Sequence, residues 1–110
     1  MQELKGKVAV VTGATRKRGL GRAIALALAR AGADVAVTGS SRGNASLTAD
    51  EQQDGWRGLP DVVAEIEALG VRGCGAYMDV RKAEDVQRMV QEVVGKLGRI
   101  DILINNATYP

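Results

Sequence analysis

Near its beginning the chain passes from a β-branched segment, KVAVVT at residues 7–12, through a glycine-rich turn into an alanine- and leucine-rich segment at residues 19–30. The continuous apolar run predicts a strand that is buried on both faces. The next segment predicts a helix that stops near Gly32. Apolar residues surround nearly its whole circumference, so we expect this helix to be deeply buried. A strand that leads through a tight turn into a helix indicates an α/β architecture.

Shorter apolar runs alternate with helical patterns along the rest of the chain. Pro60 suits the first turn of a helix, and apolar residues recur at helical spacing until Gly70. A second helical pattern covers residues 82–97. The apolar faces are predicted to consist of Val63, Ile66 and Leu69 in the first of these helices, and of Val86, Met89, Val90, Val93 and Leu97 in the second.

The resulting order β-α-β-α-β-α-β predicts a doubly wound parallel sheet, because connections are short and crossovers are right-handed. The expected spatial order of the strands is 3-2-1-4, with a ligand crevice at the carboxyl end of the first strand. We expect a single domain over residues 1–110, incomplete because it is truncated after the fourth strand. The predicted strands are residues 7–12, 34–38, 73–78 and 100–105, and the predicted helices are residues 19–30, 60–70 and 82–97.

A polar segment at residues 43–58 interrupts this alternation and has no clear periodicity. We interpret it as a long loop with a short helical turn at residues 48–53. Loops of this length in compact domains are usually functional or mobile. Trp56 is predicted to pack the loop against the helix that begins at Pro60, with a role as a substrate lid as the alternative.

Composition excludes several kinds of site and partner. The chain has 110 residues, 45% of them hydrophobic, which is enough for one small globular domain. A net charge of +2 is too balanced to indicate nucleic acid or a membrane surface as a partner. Cys74 is the only cysteine and there is no histidine, so an internal disulfide, a histidine-based metal site and a histidine-dependent triad are excluded. We expect no metal site, a cytoplasmic location, and a buried Cys74 on the third strand.

The glycine-rich turn (residues 13–21) has the features of an anion-binding site. Backbone N–H groups at a helix N-terminus are unpaired and the helix dipole adds partial positive charge. Glycines let the backbone turn sharply and let a pyrophosphate approach closely. The alternative is a tight turn that binds no ligand. The residues predicted to contact a ligand here are Gly13, Thr15, Gly19, Leu20 and Gly21.

Three adjacent cations, Arg16, Lys17 and Arg18, are unusual in such a turn. Each opposes the helix dipole at a cost of roughly a few tenths of a kcal/mol, and an anionic ligand would reverse that cost. The alternative is that they are solvated surface charges. We interpret Arg16 and Arg18 as contacts of an anionic ligand.

These motifs resemble those of the short-chain dehydrogenase/reductase family. Its signature after the first strand is Thr-Gly, three residues and Gly-x-Gly, which Thr12-Gly13 and Gly19-Leu20-Gly21 match. Here five residues separate Gly13 from Gly19, so the turn is two residues longer than in the family. Among subfamilies the chain looks most like the 3-oxoacyl-acyl-carrier-protein reductases. The resemblance implies a Rossmann-type dinucleotide-binding domain.

Two further motifs carry the resemblance. Asp79-Val80 follows the third strand, where the family uses an aspartate to meet the adenine amino group. Asn105-Asn106-Ala107 follows the fourth strand, with Thr108 where the family has glycine. By resemblance, Asn105 would stabilise the sheet, and Asn106 and Ala107 would border the ribose.

The end of the second strand indicates which nicotinamide dinucleotide is preferred. A carboxylate at this position would bind the ribose 2′-hydroxyl of NAD and repel a 2′-phosphate. This chain has no carboxylate at that position. Ser40, Ser41 and Arg42 offer hydroxyls and a guanidinium instead. Arg18, just before Gly19, matches a basic position of NADP-preferring members. We predict NADP(H) as the cofactor, with NAD less favoured and with Arg42 as an ordinary loop cation as the alternative.

The family's catalytic groups are expected to be missing from this chain. A serine, a tyrosine and a lysine four residues after the tyrosine carry the family's chemistry. Tyr77 is followed at position 81 by arginine, and Tyr109 is followed only by Pro110, so neither is predicted to be catalytic. We expect the cofactor-binding part of an oxidoreductase that transfers hydride between nicotinamide and a carbonyl or alcohol. The alternatives are a non-catalytic nucleotide-binding module and an inactive truncated product.

The fourth strand is predicted to leave an apolar edge exposed at residues 102–104, because no later strand follows it. Such an edge can pair with another chain. We expect the isolated chain to dimerise or to be poorly soluble, and the complete enzyme to be a homo-oligomer.

Overall fold

The computed structural model describes residues 2–40 and 47–107. Four parallel strands form one sheet in the order β3-β2-β1-β4, with helices on both faces. This confirms the predicted fold class and strand order. The strands are β1 (Val8–Val11), β2 (Asp34–Gly39), β3 (Gly73–Tyr77) and β4 (Ile102–Ile104), and the helices are α1 (Leu20–Arg30), α2 (Ala49–Gln53), α3 (Leu59–Ala68) and α4 (Ala83–Leu97).

The first strand lies in the interior of the sheet and pairs with two neighbours. Val11 is in register with Val37 of β2 on one side and with Ile104 of β4 on the other. The carboxylate of Asp101 accepts a 2.8 Å hydrogen bond from the backbone N–H of Val8, which fixes where β4 begins along β1. Because all four strands are parallel, the segments that follow them meet at one edge of the sheet.

Two apolar layers hold the helices against the sheet. Helices α1 and α3 pack on one face and α4 packs on the other. Strand residues alternate between the two layers, since successive side chains of a strand point to opposite faces. Cys74 lies in the layer with α4 and is buried, and this burial raises the pKa of its thiol. The first layer includes Val11, Val35, Val37, Leu26, Val62 and Ile66, and the second includes Val8, Val10, Ala36, Cys74, Met89 and Val93.

Helix α1 is only half buried, so the prediction of a deeply buried helix is wrong. Gly21, Ala25, Leu26 and Ala29 are buried, whereas Leu20 is 67% exposed. The helix contacts the sheet and α3. Its remaining alanines face solvent at little cost because a methyl group exposes little apolar area.

The apolar faces of the other two long helices differ in part from the prediction. In α3 the fully buried residues are Leu59, Val62 and Ile66, and Leu69 is 41% exposed because the helix ends before it. In α4 the buried residues are Met89, Val93 and Leu97, all three of which were predicted to lie on the apolar face. Val90 is 40% exposed, since one residue further along a helix lies about 100° around its axis.

The segment predicted as a long loop contains the short helix α2, at the place where a helical turn was expected. Thr48 caps it: its hydroxyl accepts from the N–H of Glu51, and the Glu51 carboxylate accepts from the N–H of Thr48. Residues 43–46 of this loop lie outside the described residues. Within the described ranges, none of the helices is long and apolar enough to cross a membrane.

Candidate functional site

A cleft of about 670 Å³ opens at the carboxyl edge of the sheet. It lies between the glycine-rich turn and the segments that follow β2, β3 and β4, where a doubly wound sheet is expected to bind its ligand. Ten of the fourteen residues predicted to contact a cofactor line this cleft. They are Gly13, Thr15, Arg16, Gly19, Leu20, Ser40, Asp79, Val80, Asn106 and Ala107.

The other four predicted residues have different positions. Gly21 is buried in the first turn of α1 and does not line the cleft. Arg18 lines a separate groove of about 410 Å³ that also includes residues of α2. Ser41 and Arg42 lie outside the described residues.

Gly13 and Gly21 are required by the close packing of the turn. Gly13 has a φ of +71°, and a Cβ there would lie 2.8 Å from the Cα of Ala107. A Cβ on Gly21 would lie 2.5 Å from the carbonyl oxygen of Gly13 and 2.8 Å from Nδ2 of Asn106. The absence of side chains therefore lets α1, the turn and the segment after β4 approach one another.

Hydrogen bonds join the turn to the segment after β4. The Thr12 hydroxyl accepts from the backbone N–H groups of Asn106 and Ala107 at 3.1 and 3.0 Å. The Asn106 side chain donates to the carbonyl of Gly13 at 2.9 Å. Asn105, which was expected to stabilise the sheet, is exposed, and that role stays a prediction. Successive side chains of an extended segment point in opposite directions, so Asn105 points away from the turn and Asn106 points toward it.

The first turn of α1 leaves backbone donors unpaired within the helix. The first α-helical hydrogen bond runs from the N–H of Ala23 to the carbonyl of Gly19 at 3.3 Å. The N–H groups of Leu20, Gly21 and Arg22 therefore precede the helical pattern. No side chain caps Gly19, and the first turn contains no acidic residue. The helix dipole thus favours an anion at this end.

Side chains of α2 and of the residues that follow it hold the glycine-rich turn. The Glu51 carboxylate accepts from the backbone N–H of Lys17 at 2.6 Å, and the Lys17 ammonium pairs with Asp54 at 3.1 Å. The indole N–H of Trp56 donates to the carbonyl of Thr15 at 2.8 Å. Trp56 is also buried in the layer with Leu59, so it packs near the start of α3 as expected, but its polar contact is to the turn.

Glu51 is ionised although it is buried, with 6% of its surface exposed. Burial by itself raises the pKa of this carboxyl group, because it disfavours the charged form. Hydrogen bonds from Thr48 and from the N–H of Lys17 act in the opposite direction and outweigh burial, so the pKa of Glu51 is lowered. The buried anion is therefore stable near neutral pH.

Arg22 of α1 connects the turn to α3. Its guanidinium makes a bidentate pair with Glu65 at 2.7 and 2.6 Å and donates to the carbonyl of Lys17 at 3.0 Å. It also lies over the ring of Trp56, 5.7 Å from the centroid. Hydrogen bonding to Arg22 lowers the pKa of Glu65.

Asp79 provides a carboxylate at the end of β3. Hydrogen bonds from the side chain and backbone of Arg81 lower the pKa of Asp79 to about 2. Its backbone N–H donates to Asp85 of α4 at 2.9 Å, which fixes the start of this segment. Asp79 is therefore an anionic acceptor at the cleft over the whole physiological pH range.

The sequence interpretation missed Glu51, Arg22 and Arg81. The spacing Thr48-x-x-Glu51 is a capping-box pattern, and it could have located α2 and Glu51. No sequence pattern indicates that Arg22 contacts Lys17 and Trp56, or that Arg81 lines the cleft. Among the described residues no group of three acidic, cysteine or histidine side chains could hold a metal ion.

The chain matches known proteins over nearly its whole length. The family model described as short chain dehydrogenase matches residues 7–110. The chain belongs to the short-chain dehydrogenase family. Cyclohexanol dehydrogenase of Rhodococcus sp. is 46% identical over 94% of this chain, and 3-oxoacyl-acyl-carrier-protein reductase of Staphylococcus epidermidis is 41% identical over 92% of it.

Solved structures of the family have the same fold. A dehydrogenase/reductase from Sinorhizobium meliloti has a TM-score of 0.72 and 40% identity over 96% of this chain. A double mutant of a Serratia marcescens short-chain dehydrogenase/reductase has a TM-score of 0.75 and 32% identity over 98% of it. This short-chain dehydrogenase sequence spans 37% and 35% of the two curated relatives, and 36% and 38% of the two solved chains. The resemblance to the family is confirmed, and the relatives' names cover more than one activity.

Proposed function

We propose that the chain binds a nicotinamide dinucleotide in the cleft and prefers NADP(H) to NAD(H). Short-chain dehydrogenases use nicotinamide cofactors, and the cleft contains the groups that such a ligand needs. The N-terminus of α1 would hold the pyrophosphate through the N–H groups of residues 20–22. Asp79 and Val80 would meet the adenine, and Asn106 and Ala107 would border a ribose.

Residues at the end of β2 support the proposed preference for NADP(H). Gly39 ends this strand and Ser40 follows it, both lining the cleft, so no carboxylate lies where NAD-specific domains bind the ribose 2′-hydroxyl. Ser40 offers a hydroxyl and Arg16, on the same cleft, offers a guanidinium. Both suit a phosphate. We propose that Ser41 and Arg42, outside the described residues, add to this site.

We further propose that the chain is the cofactor-binding part of an oxidoreductase acting on a carbonyl or alcohol. When bound, the nicotinamide would supply or accept the hydride. A non-catalytic nucleotide-binding module is the second candidate. Tyr77 favours this candidate because it lacks the features of the family's catalytic tyrosine. It lies on β3 and packs against the apolar layer of α1 and α3. Position 81, four residues later, is arginine instead of lysine.

Titration of the chain with NADPH and with NADH tests the preference. We expect at least roughly tenfold tighter binding of NADPH, because charge-assisted hydrogen bonds to a phosphate each contribute about 1.5–3 kcal/mol. Arg42→Asp should move the preference toward NADH. Equal or tighter binding of NADH by the unmodified chain would contradict the proposal. Assay of the complete gene product with NADPH and carbonyl compounds separates the enzyme from the non-catalytic module.

We also propose a cytoplasmic location and a homo-oligomeric state for the complete enzyme. The single cysteine, Cys74, is buried and unpaired, which suits a reducing compartment. Cell fractionation and light scattering of the complete gene product would test these two points.

A further inference from the structure

The glycine-rich turn is held by side chains that do not line the cleft. They belong to the α2 segment, which we define as residues 47–58. The carboxylate of Glu51 accepts from the backbone N–H of Lys17 at 2.6 Å, and the indole N–H of Trp56 donates to the carbonyl of Thr15 at 2.8 Å. Glu51 and Trp56 are both buried, and neither lines the cleft. Any effect of their geometry on a ligand in the cleft therefore passes through the backbone of the turn.

The backbone held in this way leads directly into the first turn of α1. Gly19 follows Lys17 by two residues, and its carbonyl accepts the first helical hydrogen bond of α1. The next donors along the chain are the N–H groups of residues 20–22, which the proposed function assigns to the pyrophosphate. Each additional residue of a turn adds conformational entropy that is lost when the turn takes one conformation. A turn that is two residues longer than the family's therefore depends more on contacts from outside it.

Arg22 completes the connection between the α2 segment and α1. It lies in the first turn of α1, donates to the carbonyl of Lys17 at 3.0 Å, and has its guanidinium 5.7 Å from the centroid of the Trp56 ring. The backbone N–H of Lys17 is thus bound by Glu51 and its carbonyl by Arg22. The α2 segment, the turn and the first turn of α1 form one connected unit.

We propose that Glu51 and Trp56 are positioning residues for the pyrophosphate of a bound dinucleotide, and that attachment of the α2 segment to the turn and dinucleotide binding reinforce each other. The inference rests on the proposed function, because it assumes that the cleft binds a dinucleotide with its pyrophosphate at α1. It does not depend on a preference between NADP(H) and NAD(H). Linkage makes the effect reciprocal: if the attached segment raises the affinity for the ligand, the ligand stabilises the attachment by the same factor.

The first test is the direction in which Glu51→Gln changes the affinity. The glutamine can serve only one of the two backbone N–H groups that the carboxylate accepts from, because its NH₂ group is a donor. If Glu51 acted by its charge alone, removing that charge would strengthen the binding of an anion beside it. A positioning role has the opposite result, about five- to tenfold weaker binding of both NADPH and NADH, measured by titration of the fluorescence of the reduced nicotinamide. Unchanged or stronger binding would overturn the proposal.

Asp54→Asn is the matched control for Glu51→Gln. It also removes one carboxylate charge beside the turn, but Asp54 pairs with the exposed ammonium group of Lys17 at 3.1 Å and not with its backbone. Because exposed ion pairs contribute little, both Kd values should stay within about twofold of those of the unmodified chain. A loss as large as that of Glu51→Gln would overturn the role assigned to the backbone contact.

Fragments of the ligand identify the part on which the α2 segment acts. ADP-ribose contains the pyrophosphate, and adenosine lacks it. Glu51→Gln and Trp56→Phe should weaken ADP-ribose binding about three- to tenfold and change the Kd of adenosine, measured by NMR titration, less than about twofold. Trp56→Phe keeps an aromatic ring and removes the donor to Thr15. Equal losses for the two fragments would indicate a general loosening of the site and would overturn the positioning role.

The reciprocal effect is measured in the unmodified chain, so it does not depend on whether a variant folds. Trp56 is the only tryptophan in the sequence, so its indole N–H gives a single NMR signal. Saturating ADP-ribose should slow hydrogen exchange of this indole N–H and of the Lys17 amide about five- to tenfold, and more than that of the Val93 amide in the opposite apolar layer. Equal slowing at all three would overturn the coupling. A chain that binds none of these nucleotides would refute the proposed function itself, whereas binding that is insensitive to Glu51 and Trp56 would refute only this inference.

Discussion

Gly21 joins three parts of the chain that are far apart in sequence. Its Cα faces the carbonyl of Gly13 and the side chain of Asn106, which itself donates to that carbonyl. The usual explanation for a glycine in such a turn is access for the pyrophosphate. Here the contact that excludes a side chain is made by protein atoms, so Gly21 is required for the folded state as well as for binding.

Gly21→Ala is therefore expected to destabilise the chain. A Cβ 2.5 Å from the Gly13 oxygen would force α1 away from the turn, and overpacking of this kind costs about 1–3 kcal/mol. The free energy of unfolding, measured by urea denaturation, should fall by that amount, and dinucleotide affinity should fall with it.

Gly95→Ala is the matched control for Gly21→Ala. A Cβ at Gly95, in the interior of α4, would meet nothing within 4 Å. The substitution should stabilise the chain by roughly 0.5–1 kcal/mol, because alanine favours the helix and restricts the unfolded chain. Equal melting temperatures for the two variants would contradict the packing role of Gly21.

Helices α1 and α3 are joined by the bidentate pair of Arg22 and Glu65. Hydrogen bonding to Arg22 lowers the pKa of Glu65 from its ordinary value of 4.5. A carboxyl group whose pKa is lowered on folding adds stability at pH values above its unfolded pKa, and this stability is lost as the pH falls through the folded value. The pair should therefore stabilise the contact between α1 and α3 at neutral pH and cease to do so in acid.

Glu65→Gln is expected to lower stability at pH 7 by about 1 kcal/mol, a value reduced for the partial exposure of both side chains. This corresponds to a decrease in melting temperature of about 4 °C. Melting curves of the variant and the unmodified chain should converge as the pH falls from the ordinary pKa of 4.5 through the lowered pKa of the folded state. Glu67→Gln, an exposed position of the same helix, serves as the control. A pH-independent difference for Glu65→Gln would show that the charge is not responsible.

Helix α2 shows how far an element can be predicted from local pattern. Thr48 and Glu51 form a capping box that is visible in the sequence, so the helix itself is local information. That Glu51 also binds the N–H of Lys17 depends on a contact between residues 34 positions apart. Periodicity in the sequence does not predict contacts between residues so far apart.

At the scale of the whole molecule, β4 has one neighbouring strand in the described sheet. It pairs with β1 only, and Leu103 is 56% exposed. Exposed apolar edges pair readily with other chains. We expect the isolated chain to dimerise or aggregate, and size-exclusion chromatography with light scattering at increasing concentration measures this.

Leu103→Lys should move the chain toward the monomer, because a charged side chain at the edge opposes pairing. Val94→Lys, at an apolar position of α4 that is 42% exposed, is the comparison and should have a smaller effect. A clean monomer of the unmodified chain at high concentration would refute the expected association.

The sequence by itself determined the order of the elements, the parallel sheet and the location of the cleft. These follow from local periodicity, from glycines at element ends and from general rules of chain connection. The fourteen predicted contacts remain predictions, although ten of them line one cleft. Only the tertiary structure decided that Arg16 lines the cleft whereas Arg18 does not, and that the side chain of Asn106 bonds the turn. The physical reason is that both depend on contacts between segments that meet only after folding, such as Trp56 with Thr15 and Asn106 with Gly13, which lie 41 and 93 residues apart.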